Sequence, residues 1–261
     1  EIKKMVQALH ATSNVESQVS AEEWQVRVDL AAAYRLVDHY GWTDMIFTHL
    51  SARVPGPEHH FLINPYGMMF DEVSASNLVK IDLDGNVVMH NGYDVNPAGF
   101  CIHSAIHMSR EDAQAVMHVH TDDGVAVAAM ADGLLPITQT AMVIHDDVAY
   151  HDYEGVALDL GERERLVADI GDKHLMILRN HGTLAVGATV SDCFLKLYTL
   201  ERACSMQVRA MASGKFYQPS AKSVETSRKQ GKMLMQAGEL DRLAWPALLR
   251  MLDRKDPSYR S

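Results

Sequence analysis

Ala115-Val116-Met117-His118-Val119-His120-Thr121-Asp122-Asp123 decides the architecture of this chain. Ala115 to His120 is short and apolar and reads as a strand. Thr121-Asp122-Asp123 reads as a helix start, with a hydroxyl and carboxylates placed for capping. The strand therefore runs into a helix over Asp122 to Met130. Successive strand residues point to opposite faces, so His118 and His120 project together while Met117 and Val119 face apolar packing.

Toward the N-terminus, Ala98 to Ser109 reads as a helix. Leu78 to Leu83 and Val87 to Met89 flank Asp84-Gly85-Asn86, a hairpin signal. Phe61-Leu62-Ile63 is a short strand, and Ile46 to Val54 a longer one ended by Pro55-Gly56-Pro57. Glu22 to Tyr40 lacks Gly and Pro and reads as a helix stopped by Gly41. Residues 1–20 are polar and read as a flexible arm. Toward the C-terminus, Thr140 to Ile144 reads as a strand, Glu162 to Ile170 as a helix and Leu175 to Leu178 as a strand. Arg179-Asn180-His181-Gly182 then turns into a strand over Thr183 to Val186. Gly182 is expected to permit the tight backbone turn. Val190 to Met211 is a long helix, and Ser213 to Lys222 is a hinge. Leu243 to Leu252, with Trp245-Pro246-Ala247-Leu248-Leu249, is an apolar segment expected to dock on the body or on a neighbouring subunit.

Strands between helices imply an α/β fold, a three-layer α/β/α sandwich. The hairpins make its central sheet mixed and largely antiparallel. The expected organisation is an arm over 1–20, the main domain over 21–215 and a helical extension over 216–261.

Composition bounds the function. The chain has 261 residues, 47% of them hydrophobic and 22% charged, an ordinary globular balance. Lys and Arg number 24 against 34 Asp and Glu, a net charge of −10. Phosphate contacts need clustered cations, and no basic patch interleaved with aromatics occurs, so nucleic acid is not an expected partner. No apolar run reaches the ~18 residues of a membrane span, so no membrane partner is expected. The 3 cysteines form no metal or disulfide motif, as suits a reducing cytoplasm. Neither a G-x-S-x-G elbow nor a phosphate-binding G-x-x-x-x-G-K-[ST] is present.

Histidine is the outlier, with 14 residues. His118 and His120 on one strand face can reach one first-row metal at about 2.0–2.1 Å. His181, at the end of another strand, can converge with them. Three imidazoles and an open position suit a catalytic zinc. The competing reading makes His181 a capped turn residue. His103 and His107 lie one helical turn apart and so share a face, a spacing equally compatible with metal binding or packing. His49 either lines a cleft or sits on a sheet edge. Asp146-Asp147 is either a solvated turn or a partner for a metal-binding imidazole.

Together these segments resemble the class II aldolase/adducin family over about Trp24 to Ala212. The resemblance is carried by Gly41-Trp42 through His49-Leu50-Ser51-Ala52-Arg53, Ile63-Asn64-Pro65-Tyr66-Gly67 and Lys80-Ile81-Asp82-Leu83-Asp84-Gly85. His118-Val119-His120-Thr121, Leu135-Pro136 and Arg179-Asn180-His181-Gly182 complete it. The adducin-type branch is closest, through Asn96-Pro97-Ala98-Gly99-Phe100, His103-Ser104-Ala105 and Val148-Ala149-Tyr150-His151-Asp152-Tyr153. The resemblance implies the AraD-like fold. It implies a divalent metal, Zn2+ or alternatively Fe2+, on His118, His120 and His181, and a small-molecule substrate near His49, Asn64 and Gly67. It also implies a homo-oligomer, with a tetramer as the usual form. This chain departs from the family's aldolases in three places. Gly99 stands where they carry a Glu base, leaving His103, His107 and Asp147 as candidates for that role. Thr48-His49 stands where they carry a phosphate-binding Gly-Asn pair, with Pro97-Ala98 in place of the adjoining Ser pair. Thr138-Gln139-Thr140 stands where they carry a tyrosine.

Three functions are compatible with these residues. One is a metal-dependent lyase that cleaves a C–C bond or decarboxylates a small carbonyl or sugar-derived compound. Another is a non-haem Fe(II) oxygenase on the same histidines. The last is a non-catalytic binding module like the head of adducin.

Overall fold

The computed structural model of the protein describes residues 15–155, 161–236 and 238–261, so most of the expected N-terminal arm lies outside the described residues. Strands β1 (His49–Arg53), β2 (Phe61–Ile63), β3 (Val79–Ile81), β4 (Val87–Met89), β5 (Ala115–Val119), β6 (Val148–His151), β7 (Leu175–Leu178) and β8 (Gly182–Gly187) form one sheet. Their spatial order is β4-β3-β2-β1-β5-β8-β7-β6. Every neighbouring pair is antiparallel except β6 and β7, which are parallel. The sheet is mixed and largely antiparallel, as expected.

Helices cover both faces. On one side lie α1 (Ala21–His39), α3 (Asp122–Ala128) and α6 (Val190–Ala212); on the other lie α2 (Pro97–Ser109) and α5 (Glu162–Ile170). Strand alternation sorts the core accordingly. Leu50, Ala52, Met117 and Val119 join one buried cluster with Leu30, Tyr34, Phe194 and Leu197. Val116, Met176, Leu184 and Val186 join another with Ile102, Ile106 and Leu166.

Three expected elements differ. Thr140 to Ile144 belongs to a helix, α4 (Gln139–Ile144), rather than a strand. Its β-branched residues favour strand locally. Thr138 overrides that preference by accepting the Ala141 backbone N–H, and Ala141 and Ile144 fill the core three residues apart. The strand expected from Ile46 starts only at His49. Asp44 and Phe47 close a tight turn before it, with Met45 and Thr48 at φ of 48° and 66°. Gly182 is not in the left-handed region; Asn180 takes that conformation, at φ 57°.

Two further helices, α7 (Ala221–Gln236) and α8 (Glu239–Lys255), return over the same chain. Gly231 lets α7 cross α4 in backbone contact, since a Cβ there would stand 2.0 Å from the Val143 carbonyl oxygen. Trp245 of α8 is buried, packs on Phe194 and donates its indole N–H to Asp29 of α1 at 3.1 Å. No helix of the described residues is long and apolar enough to cross a membrane.

Candidate metal centre

The sheet gathers the histidines at one end. β5 carries His118 and leads straight to His120, while the turn between β7 and β8 carries His181. Because β5 and β8 are antiparallel neighbours, with Val119 opposite Thr183, that turn lies beside the end of β5. Gly182 is required by this closeness rather than by its φ. A Cβ there would stand 2.5 Å from the Val119 carbonyl oxygen and 3.1 Å from both the His118 and His120 rings.

His118 Nε2 lies 2.9 Å from His120 Nε2 and 3.3 Å from His181 Nε2. The three ring centroids are 4.7–4.8 Å apart. What faces the other ring nitrogens fixes the protons. His118 Nδ1 is 2.8 Å from the Thr183 carbonyl oxygen, which can only accept, so Nδ1 carries the hydrogen. His120 Nδ1 is 3.0 Å from the Asp44 carboxylate and is likewise the donor. In the neutral rings both Nε2 atoms are bare. Two lone pairs 2.9 Å apart repel unless a cation lies between them. Protonation is disfavoured at His118 and His181. Burial holds His118 well below the usual imidazole range, aided by its two imidazole neighbours. Burial, with His120 and His151 nearby, lowers His181 to about 4. Nitrogens at 2.0–2.1 Å from one tetrahedral ion lie about 3.3 Å apart, so the arrangement fits a divalent metal with small adjustments.

A second layer holds the histidines in place. Glu201 of α6 is 1% exposed, and its two carboxylate oxygens accept from the hydroxyls of Thr121 and Thr183. Thr121 follows His120, and Thr183 supplies the carbonyl that orients His118. One carboxylate thus ties β5 to β8 behind the imidazoles. Thr121 also caps α3 by accepting the Gly124 N–H at 2.9 Å. Burial pushes the Glu201 carboxyl up to about 7, against the two hydroxyl donors that lower it.

His49 is the cross-strand partner of His118 and shares its face. Behind it on β1, Ser51 Oγ lies 2.6 Å from His103 Nδ1 and 2.8 Å from His107 Nε2. His107 Nδ1 is 2.8 Å from the Ala113 carbonyl oxygen. Both α2 histidines are buried, so packing and a polar row coexist on that helix face. Desolvation lowers His49 to about 4 and His107 to about 3.

The other expected site residues are Asp147, Asn64 and Gly67. Asp147 is not near the histidine triad. It pairs with His174 at 3.0 Å, before the parallel strands β6 and β7, whereas His181 follows the far end of β7. The carboxylate on a triad imidazole is Asp44 instead. Asn64 is buried, and its Oδ1 is engaged by the Tyr34 hydroxyl at 2.9 Å. Gly67, at φ 90°, has open space around its Cβ direction. Glu201 and Asp44 were not singled out by sequence reasoning. For Glu201 a signal existed: an acid within the apolar stripe Phe194, Leu197, Glu201, Cys204 of a long helix.

The profile of the Class II Aldolase and Adducin N-terminal domain matches residues 28–208. The chain belongs to the class II aldolase and adducin family. Among solved structures, an aldolase II superfamily protein from Pseudomonas syringae is 51% identical, with a TM-score of 0.92 over 95% of this chain and 100% of that one. An L-fuculose 1-phosphate aldolase from Glaciozyma antarctica PI12 is 28% identical, with a TM-score of 0.78 over 92% of this chain and 94% of that one. Alpha-adducin of Mus musculus is 40% identical over 243 residues, which are 87% of this chain and 33% of the adducin. The family therefore contains both an aldolase-like and an adducin-like relative of this chain.

Proposed function

We propose that this chain is a divalent-metal-dependent lyase acting on a small carbonyl compound, by C–C bond cleavage or decarboxylation. The observation that carries the reading is the convergence of three imidazole Nε2 atoms, those of His120 and His181 lying 2.9 and 3.3 Å from that of buried His118, with His118 braced by a carbonyl and His120 by a carboxylate. His118, His120 and His181 would hold the ion, with Zn2+ preferred and Fe2+ as the alternative. Such an ion would supply Lewis-acid stabilisation of oxygen charge that develops as the bond breaks. The chain's own residues supply the rest. Thr183 and Asp44 fix the ring orientations, and Glu201 keeps the two histidine-bearing segments in register. An open groove of about 580 Å³, lined by Met130, Asp152, Tyr153, Arg179 and Asn180 among others, lies on the His181 side, with the Tyr153 ring 6.3 Å from that of His181. Similarity to an aldolase structure supports the same chemistry, and a homo-oligomer is part of the proposal.

The 40% identity to alpha-adducin favours a second reading, a binding module without turnover. Metal content and turnover separate the two. The lyase requires bound metal in the wild type, loss of metal in His118→Ala, and product from a panel of hydroxyketones and hydroxyacids, phosphorylated and not. Metal without product from any of them favours the binding module.

A further inference from the structure

The polar row between β1 and α2 has a fixed proton order. The Ala113 carbonyl can only accept, so His107 Nδ1 carries a hydrogen, and the neutral buried ring leaves its Nε2 bare. Ser51 Oγ, 2.8 Å away, must therefore donate its one proton to His107 Nε2. Toward His103, at 2.6 Å, the same oxygen can only accept, so His103 Nδ1 carries the hydrogen. His103 is also buried, and its Nε2 is left as a bare acceptor with no partner. The His103 ring stands edge-on to His49, ring centroids 6.1 Å apart. His49 Nε2 is buried and unpartnered too, and His49 lies directly across from His118. The row thus ends in an unfilled acceptor beside the histidine triad. The cation at the row, Arg53, lies at the other end, over the Phe61 ring that stacks on His107.

An acceptor locked in this way requires a partner that brings a proton. A hydroxyl does so. A phosphate dianion or a carboxylate offers lone pairs alone, and would bind this nitrogen only by bringing a proton onto the buried ring, at the cost of charging it. We infer that the subsite between β1 and α2 binds a hydroxyl of a neutral polyhydroxy carbonyl compound, with His103 Nε2 accepting from it, and that it does not hold a phosphate or carboxylate group. The inference deepens the lyase reading and rests on it for the neighbouring carbonyl.

The test is a ligand-observed NMR titration of the zinc-loaded full chain with dihydroxyacetone, dihydroxyacetone phosphate and inorganic phosphate. Dihydroxyacetone should bind, and the phosphate ester should bind no more tightly. His103→Phe should weaken dihydroxyacetone about tenfold, as expected for one buried hydrogen bond. Ser51→Ala, which keeps the ring and frees its proton order, should weaken it by a smaller factor. Binding of the ester more than about tenfold tighter than dihydroxyacetone overturns the inference. So does binding of neither compound, or no change in His103→Phe. The ¹⁵N resonances of His103, read with and without zinc, should place the hydrogen on Nδ1. A hydrogen on Nε2 overturns the subsite even if the metal binds. If the chain takes up no zinc, the lyase reading fails, while the same titrations on the metal-free chain still decide the subsite.

Discussion

The two ends of the sheet treat their polar groups in opposite ways. At the end where β6 and β7 begin, a cavity of about 640 Å³ is lined by many charged groups. Those groups largely compensate one another: Arg228 with Asp146, Lys196 with Asp192, and His174 with Asp147. At the other end, His118, His120 and His181 direct nitrogens at one another, while His49 and His103 each leave a buried nitrogen without a partner. Compensated charges make a wet, stable surface. Unpartnered nitrogens in a buried setting cost folding free energy, and a water, ion or ligand that completes them offsets it. The contrast supports placing the proposed chemistry at the histidine end.

The sharpest way to break the contrast is one substitution at each end. His118→Ala should lower zinc affinity at least about 100-fold, because two remaining imidazoles make a poor site. Asp147→Ala should leave zinc affinity unchanged. Zinc titration by calorimetry reads both. An equal loss in the two variants would show that the ends are not distinct.

Acid should also act first at the histidine end. The folded chain holds His181 and His49 near 4 and His107 near 3, below the usual 6.5. The unfolded chain therefore binds more protons as pH falls below about 6.5, and stability drops progressively down to about 3 to 4. Urea denaturation of metal-free protein between pH 7 and 4 should show this loss. His107→Phe should reduce the slope.

Glu201 gives the opposite sign. Its folded value, about 7, lies above the usual 4.5, so its contribution is full below about 4.5 and declines as pH rises to about 7. Glu201→Gln keeps the shape without the charge. Relative to wild type, it should gain on the order of 1–3 kcal/mol between pH 4.5 and 7. Glu201→Ala, which leaves both threonine hydroxyls without their acceptor, should cost about 2–4 kcal/mol at pH 4.5 and less as pH rises toward 7. Paired denaturation curves measure both.

The smallest effect is local. Thr48 sits at φ 66°, with its hydroxyl buried and unpartnered. Thr48→Gly should stabilise the metal-free chain by about 1 kcal/mol, by removing a β-branched side chain from the left-handed region. A loss of stability on denaturation would mean that Thr48 makes a contact not accounted for.

Much of this end of the molecule was legible in the sequence because its signals are short-range. His118 and His120 follow from period-two alternation in an apolar strand, whereas the strand and polar turn leave His181 open between ligand and capped turn residue, and only the family resemblance joins it to the other two. The sheet's mixed character follows from hairpin residues and from helices between strands. The supporting residues were not legible in that way. Asp44 reaches His120 across 76 positions, and Glu201 reaches Thr121 across 80. No local pattern encodes such pairings. The reasons assigned to single residues also shifted. Gly182 is a matter of close approach to two rings, which requires knowing that β5 and β8 are neighbours. The order of protons through His107, Ser51 and His103 depends on one carbonyl, that of Ala113, which only the fold brings to His107.

Whether the converging nitrogens of His118, His120 and His181 form a metal centre is a question of bound metal. Elemental analysis of untagged protein, purified without chelator and then titrated with zinc and iron(II), tests it most directly. A three-histidine centre should hold close to one zinc or iron per chain, absent from His118→Ala. Wild-type protein that is empty and takes up neither ion would contradict it.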